Sequence, residues 1–245
     1  GADGMAVSTN AAAARRPGLW GTGGAVWVGA LLALAVAGFW PSYVRRFGEV
    51  DAVTHLHAAL MLSWFGMLFV QPWLVRTRRF ALHRQLGKVS YLLVPVLVTT
   101  CLWLSRIRMG MATPQSFGFQ SVILYLGIAA AAIFLLSWGL AIRHRGDTAL
   151  HARYMVGTAL TLIDPALARL LFATVPGVGP FIQWISYGVL FLILGVLIWR
   201  DRGRHGQRAF VVLAAVFALN FVLLTTVPGT AAWQGFARWW GGLAA

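Results

Sequence analysis

The sequence predicts an all-α, polytopic membrane protein with seven transmembrane helices, and three observations carry that reading. Charged residues make up only 11% of the chain and hydrophobic ones 59%, where a soluble domain carries roughly 25% charged residues. The apolar residues come in runs of about 20, the length that roughly 30 Å of hydrocarbon demands. The arginines, Arg169 excepted, fall between those runs. A formal charge of +14 on a soluble fold would suggest nucleic acid, but here the basic residues mark loops between spans, so no nucleic-acid partner is expected. The partner is the lipid bilayer.

The spans follow in order. Residues 1–18 read as a disordered cytoplasmic tail, small and Ala-rich, with Arg15 and Arg16 near its end. The first span covers about 19–40 and stops at Trp40-Pro41. It is long enough to cross and shows no small-residue cleavage site, so it reads as a retained helix rather than a signal peptide. The second covers 52–75. The third covers 88–107, with Pro95 inside it as a kink. The fourth covers 117–142 and the fifth 151–175, stopped by Pro176. The sixth covers 181–199 and the seventh 209–227, stopped by Pro228. Together, residues 19–230 form one seven-helix domain. Residues 231–245, with Trp233, Phe236, Trp239 and Trp240, read as an aromatic segment lying in the membrane interface. The single cysteine, Cys101, lies in a span and forms no intramolecular disulfide.

Charge sets the expected orientation. The turn after the second span holds Arg76, Arg78, Arg79, Arg84 and Lys88. The turn after the fourth holds Arg143, Arg145 and Arg153 against Asp147. The turn after the sixth holds Arg200, Arg202, Arg204 and Arg208 against Asp201. The opposite loops carry only Arg45, Arg46, Arg106, Arg108 and Arg238. The positive-inside rule then places the N-terminus in the cytoplasm and the C-terminus outside, as in a multi-pass protein of the bacterial inner membrane.

Six residues stand out as candidates for chemistry. His83 and His151 each sit at the inner end of a span, the third and the fifth. Spans of the same parity run in the same direction, so both imidazoles reach the same depth. If the spans pack, the pair has the geometry of two axial ligands to one metal, each from its own helix. Gly87 would allow a bulky group to approach the backbone. The alternative is a pair of interfacial histidines that hold helix ends. His57, Trp64 and Gln71 are seven apart and share one face of the second span, a face too polar for lipid. They line a pocket, or they lock packing by interhelical hydrogen bonds. Asp164 lies mid-span beside Pro165, where an Asp costs about 2.5–3.5 kcal/mol on insertion scales. It serves as proton relay, counter-ion or partner to a histidine, or it pairs structurally with Arg169 or Asn220. His144 and His205, among arginines in turns, read as solvated. Helical geometry puts Asp164 and Arg169 about 140° apart, so a direct pair needs help from the kink.

Other chemistries lack their residues. There is no HExxH, no paired-cysteine metal spacing, no Gly-rich phosphate loop and no GxSxG. The last span has no histidine for a seven-span zinc hydrolase. A retinal protein needs a lysine in the last span, and the sole lysine is Lys88 in a turn.

The succession His57-x6-Trp64-x6-Gln71, Leu82-His83-Arg84-Gln85-Leu86-Gly87 and Leu150-His151-Ala152-Arg153-Tyr154-Met155 resembles a widespread group of uncharacterised multi-pass bacterial membrane proteins, over about residues 55–170. A weaker likeness is to the ascorbate-reducible b-type transmembrane cytochromes, which carry a His-x-x-Leu-Gly step at a helix start, matched here by His83, Leu86 and Gly87. Those proteins hold two haems on four axial histidines. The fourth span here has none, so the likeness implies at most one haem, on His83 and His151, and leaves His57 without a partner.

The expectation is an inner-membrane protein with a buried His/Asp site. The first reading is a haem- or metal-binding redox protein in electron transport, an oxidoreductase if it is an enzyme. Haem b or a transition metal would sit on His83 and His151. His57, Trp64, Gln71 and Asp164 would form the path for a quinone or other small apolar ligand and for protons. The second is a cofactor-free carrier or ligand-binding protein coupled to protons through Asp164. The third is a non-catalytic subunit of a membrane complex or an oligomer.

Overall fold

Seven helices long and apolar enough to cross a membrane run through the computed structural model, which describes residues 22–243. The described residues are helical throughout, joined by short turns, with no strand among them. The stretch read as a disordered tail, residues 1–18, lies outside the described residues. The helices are α1 (Thr22–Phe39), α2 (Ala52–Arg76), α3 (Phe80–Gly110), α4 (Phe117–Arg143), α5 (Thr148–Leu160), α6 (Ile163–Thr174), α7 (Ile182–Arg200), α8 (Gln207–Thr226) and α9 (Ala231–Gly241).

Three of these differ from the sequence reading. The chain does not stop at Pro41: a π-helical turn, Trp40–Val44, carries it on, with Pro41 in its first turn, where a missing N–H costs nothing. Next, α3 begins at Phe80, eight residues before Lys88. The basic turn shrinks to Thr77–Arg79, closed by Arg78 at φ +58°. Arg84 and Lys88 therefore ride on the first turns of α3, where long side chains reach past the helix end to polar surroundings. Finally, the fifth span is two helices, α5 and α6, interrupted at Thr161-Leu162. The ring of a proline clashes with the carbonyl four residues back and has no N–H to offer it. From Pro165 that carbonyl is Thr161, which is where the helix breaks.

Short connections make chain neighbours antiparallel neighbours, and α2/α3, α3/α4, α4/α5, α6/α7 and α7/α8 pack in that way. The exception is α1, which packs mainly on α6. At their contact a Cβ on Gly38 would overlap the Ala166 carbonyl, so the two backbones touch. Two cores result. One, around Trp64, Leu68, Val94, Leu97 and Phe134, joins α2, α3 and α4. The other, around Leu150, Tyr154, Leu190, Leu194, Phe210 and Leu213, joins α4, α5, α7 and α8. Outward-facing Leu92 and Leu192 are 72% and 68% exposed, an apolar surface that suits a lipid bilayer.

The turns α2–α3, α4–α5 and α7–α8 share the basic end of the bundle. At the opposite end α9 lies across α3 and α4. Trp233 Nε1 donates to the Ser121 carbonyl at 3.2 Å and to its Oγ at 3.0 Å, Arg106 Nη1 donates to the Trp240 carbonyl, and the Arg238 guanidinium lies 4.3 Å from the Phe117 ring centre.

Candidate functional site

At the basic end the first turns of α3 and α5 bring His83 and His151 together. Their ring centroids are 6.4 Å apart and their planes meet at 85°. His151 Nδ1 lies 2.8 Å from the Ala141 carbonyl. A carbonyl only accepts, so Nδ1 carries the hydrogen and Nε2 keeps a free lone pair. His83 Nδ1 is buried with no partner. Gln71 of α2 donates from Nε2 to the His83 carbonyl at 3.3 Å, while its Oε1 is buried and unpaired. Gly87, one turn along α3, faces the same amide: a Cβ there would lie 3.7 Å from Gln71 Nε2. Two orphaned polar atoms thus border one imidazole pair, in a fold where buried polar atoms normally find partners.

The α2 face is inward along its length, and its polar residues meet α3 at two levels and α5 between them. His57 Nδ1 lies 3.0 Å from Thr100 Oγ1. That hydroxyl gives its own hydrogen to the Leu97 carbonyl at 2.8 Å, so His57 is the donor. Trp64 is wholly buried, donates to Thr158 Oγ1 of α5 at 3.3 Å and meets Phe134 edge-on at 5.1 Å. Gln71 reaches His83. His57 and Gln71 lie fourteen residues apart, about 21 Å along a helix, so Gln71 belongs with His83 and His151, whereas His57 sits in the other half of the bundle.

Asp164 lies in the first turn of α6, just past the break. Its Oδ1 is buried without a hydrogen-bond partner. Ser186 of α7, wholly buried, is the side chain beside it. No ion pair joins Asp164 to Arg169 among the described residues. Arg169 instead donates to the Pro165 carbonyl at 2.8 Å and lies 4.5 Å from the Phe39 ring centre. Asn220 is also engaged elsewhere: Tyr125 OH donates to its Oδ1 at 3.0 Å, and its Nδ2 donates to Tyr187 OH.

Sequence reasoning did not find the polar lock at the basic end. Asp201, 1% exposed, pairs with Arg153 Nε of α5 and lies 3.6 Å from Arg204 Nη1. His205 is not simply solvated: its Nε2 meets Asp147 Oδ2 at 2.6 Å. His144 stacks on Tyr154 with centroids 5.7 Å apart. Asp147 also caps α5 by accepting from the Ala149 and Leu150 N–H groups at 3.0 and 3.1 Å. The Leu150 N–H foremost, then the His205 side chain, hold its carboxyl below the usual carboxylate range. The signal available was Asp147 one residue before a helical run, an N-cap position; nothing in the sequence distinguishes Asp201 from a solvated turn residue.

Among the described residues no cluster of three or more His, Cys, Asp or Glu side chains gathers to hold a metal. His83 and His151 stand as a pair of imidazoles. Comparison with protein-family models, with characterised proteins and with solved structures finds no match to this chain.

Proposed function

We propose that this protein is a membrane redox protein that holds haem b or a transition metal between His83 and His151, with its basic turns and N-terminus in the cytoplasm of a bacterial cell. The observation that carries the reading is the 6.4 Å separation of the two ring centroids. At that separation both rings could reach one metal ion through nitrogens at about 2.0–2.1 Å. The hydrogen bond from His151 Nδ1 to Ala141 fixes the tautomer and turns the Nε2 lone pair out, as outer partners of ligating histidines do. Gln71 steadies the backbone of His83. A bound iron or copper would supply one-electron chemistry.

An apolar groove of about 340 Å³ opens between α2 and α3, lined by Ser63, Gly66, Met67, Leu86 and Val89 among others. Leu86 and Val89 are one to two turns from His83, so a quinone or similar apolar molecule dissolved in the bilayer reaches the pair from the lipid side. This reading makes the protein an oxidoreductase or a subunit of an electron-transfer complex. A cofactor-free carrier driven through Asp164 is the second reading, favoured by the unpaired carboxylate at a helix break.

The test is an absorption spectrum of the detergent-purified protein before and after dithionite, with metal analysis on the same sample. The expected result is a Soret band that shifts on reduction, or bound redox metal. His83→Ala or His151→Ala should abolish it and His57→Ala should leave it. A colourless, metal-free protein sinks the redox reading. Loss of metal on His57→Ala alone moves the site to the opposite half.

A further inference from the structure

The longest helix carries more than a membrane crossing needs. At 31 residues, α3 is about 46 Å long, against roughly 30 Å of hydrocarbon. Lys88 and Arg106 bracket its uncharged part, residues 89–105. The two stand about 27 Å apart along the axis, so Lys88 lies where hydrocarbon gives way to headgroups at the basic end. Arg84, Lys88, Tyr91 and Pro95 follow at helical spacing on one stripe of α3, and all four are exposed. Arg145, just past the end of α4, reaches the same stripe: its Nη1 donates to Tyr91 OH at 3.4 Å. The Tyr91 ring meets Trp138 of α4 edge-on at 5.6 Å, and Trp138 Nε1 donates to Ser90 Oγ at 3.2 Å. These contacts fix the two helices against each other at this level.

We propose that this α3/α4 seam holds the headgroup of an acidic phospholipid, of the phosphatidylglycerol class, from the leaflet at the basic end. Arg84, Lys88 and Arg145 enter no ion pair among the described residues. The acid nearest in sequence, Asp147, is taken by His205 and by the first N–H groups of α5. Cations without a carboxylate, standing at phosphate depth between two spans, complement an anionic headgroup. A zwitterionic headgroup matches them poorly, because it brings an ammonium of its own. The Tyr91 hydroxyl accepts from Arg145 and keeps its hydrogen for a phosphate oxygen. Deeper in the membrane Pro95 continues the α3 stripe and Leu135 lies one turn from Trp138 on α4, both exposed, which gives an acyl chain an apolar bed. The α7–α8 turn differs. There Asp201 faces Arg153 and Arg204, and Asp147 faces His205, so part of the charge is neutralised within the chain. The inference goes beyond both readings above and stands whether or not His83 and His151 bind a metal.

The experiment is native mass spectrometry of the detergent-purified full chain titrated with phosphatidylglycerol, with phosphatidylcholine of the same acyl chains, and with soluble glycerol phosphate. One phosphatidylglycerol per chain should stay bound at detergent concentrations that strip phosphatidylcholine. Lys88→Gln together with Arg145→Gln should weaken that binding about thirtyfold, and Lys88→Gln alone about fivefold. The single change alters one exposed side chain and carries the test if the double variant fails to fold. Removing the same charge from the α7–α8 turn, with Arg200→Gln and Arg202→Gln, should leave the binding unchanged. Equal loss in the two double variants overturns the proposal, since the attraction is then the diffuse charge of the basic end. Equal retention of the two lipids also overturns it. So does binding of glycerol phosphate as tight as that of the lipid, which makes the seam a site for a soluble phosphate.

Discussion

Two buried aspartates sit in opposite circumstances. Asp201, at the basic end, is almost fully buried and held by Arg153, with Arg204 close by. Each keeps its Oδ1 without a hydrogen bond, but Asp164, in the bundle interior, forms no ion pair among the described residues although Arg169 follows on the same helix. The first completes a structural contact that ties α5 to the α7–α8 turn. The second has no such pair, since Arg169 turns to the Pro165 carbonyl and the Phe39 ring.

The comparison is most severely tested at Arg153. Arg153→Ala leaves Asp201 buried and uncompensated and should cost about 3–5 kcal/mol, read as a lower melting temperature in detergent. Replacing Arg153 and Asp201 together by leucine should recover most of that loss. A small effect of the single change would mean that the pair is not buried as described. At Asp164 the sign reverses. Asp164→Asn should stabilise the protein by about 1–2 kcal/mol, a part of the insertion cost of an aspartate. Destabilisation there would show that Asp164 already has a partner within the chain. The smallest effect is expected at Asp147. Its native carboxyl titrates below its ordinary value of 3.8, so the folded protein binds that proton less readily than the unfolded chain does. Its contribution is therefore complete above pH 3.8 and is lost as the pH falls through the lower native value. Melting curves of wild type and Asp147→Asn across the acid range should converge at the lowest pH, and parallel curves would remove Asp147 from the account.

Much of the architecture was legible. Apolar run length alone marks seven spans. A seven-residue spacing puts His57, Trp64 and Gln71 on one face, and the structure shows where that face points: to Thr100, Thr158 and His83. Helix parity puts His83 and His151 at one depth, and the fold brings their rings within 6.4 Å. What was not legible depended on contacts between distant segments. Pro165 announces a kink, but the site of the break follows from the Thr161 carbonyl that its ring displaces. The start of α3 was hidden because Arg84 and Lys88 look like turn residues, although their long stems let a helix pass beneath them. Asp201 shares a turn with arginines, but its actual partner, Arg153, is forty-eight positions away. That α1 would pair with α6 instead of its neighbour in sequence has only a faint sign, the single glycine at position 38 that allows the backbones to meet.

That last contact has a consequence for biogenesis. The first span reaches the bilayer before the helix it leans on has been synthesised, and α2 offers it only a minor contact. From its insertion until α6 arrives, its glycine-bearing face is turned to lipid or to whatever insertion machinery shelters it. α1 therefore reaches its main partner only once α6 has been made, and it packs on the same interrupted span that carries Asp164.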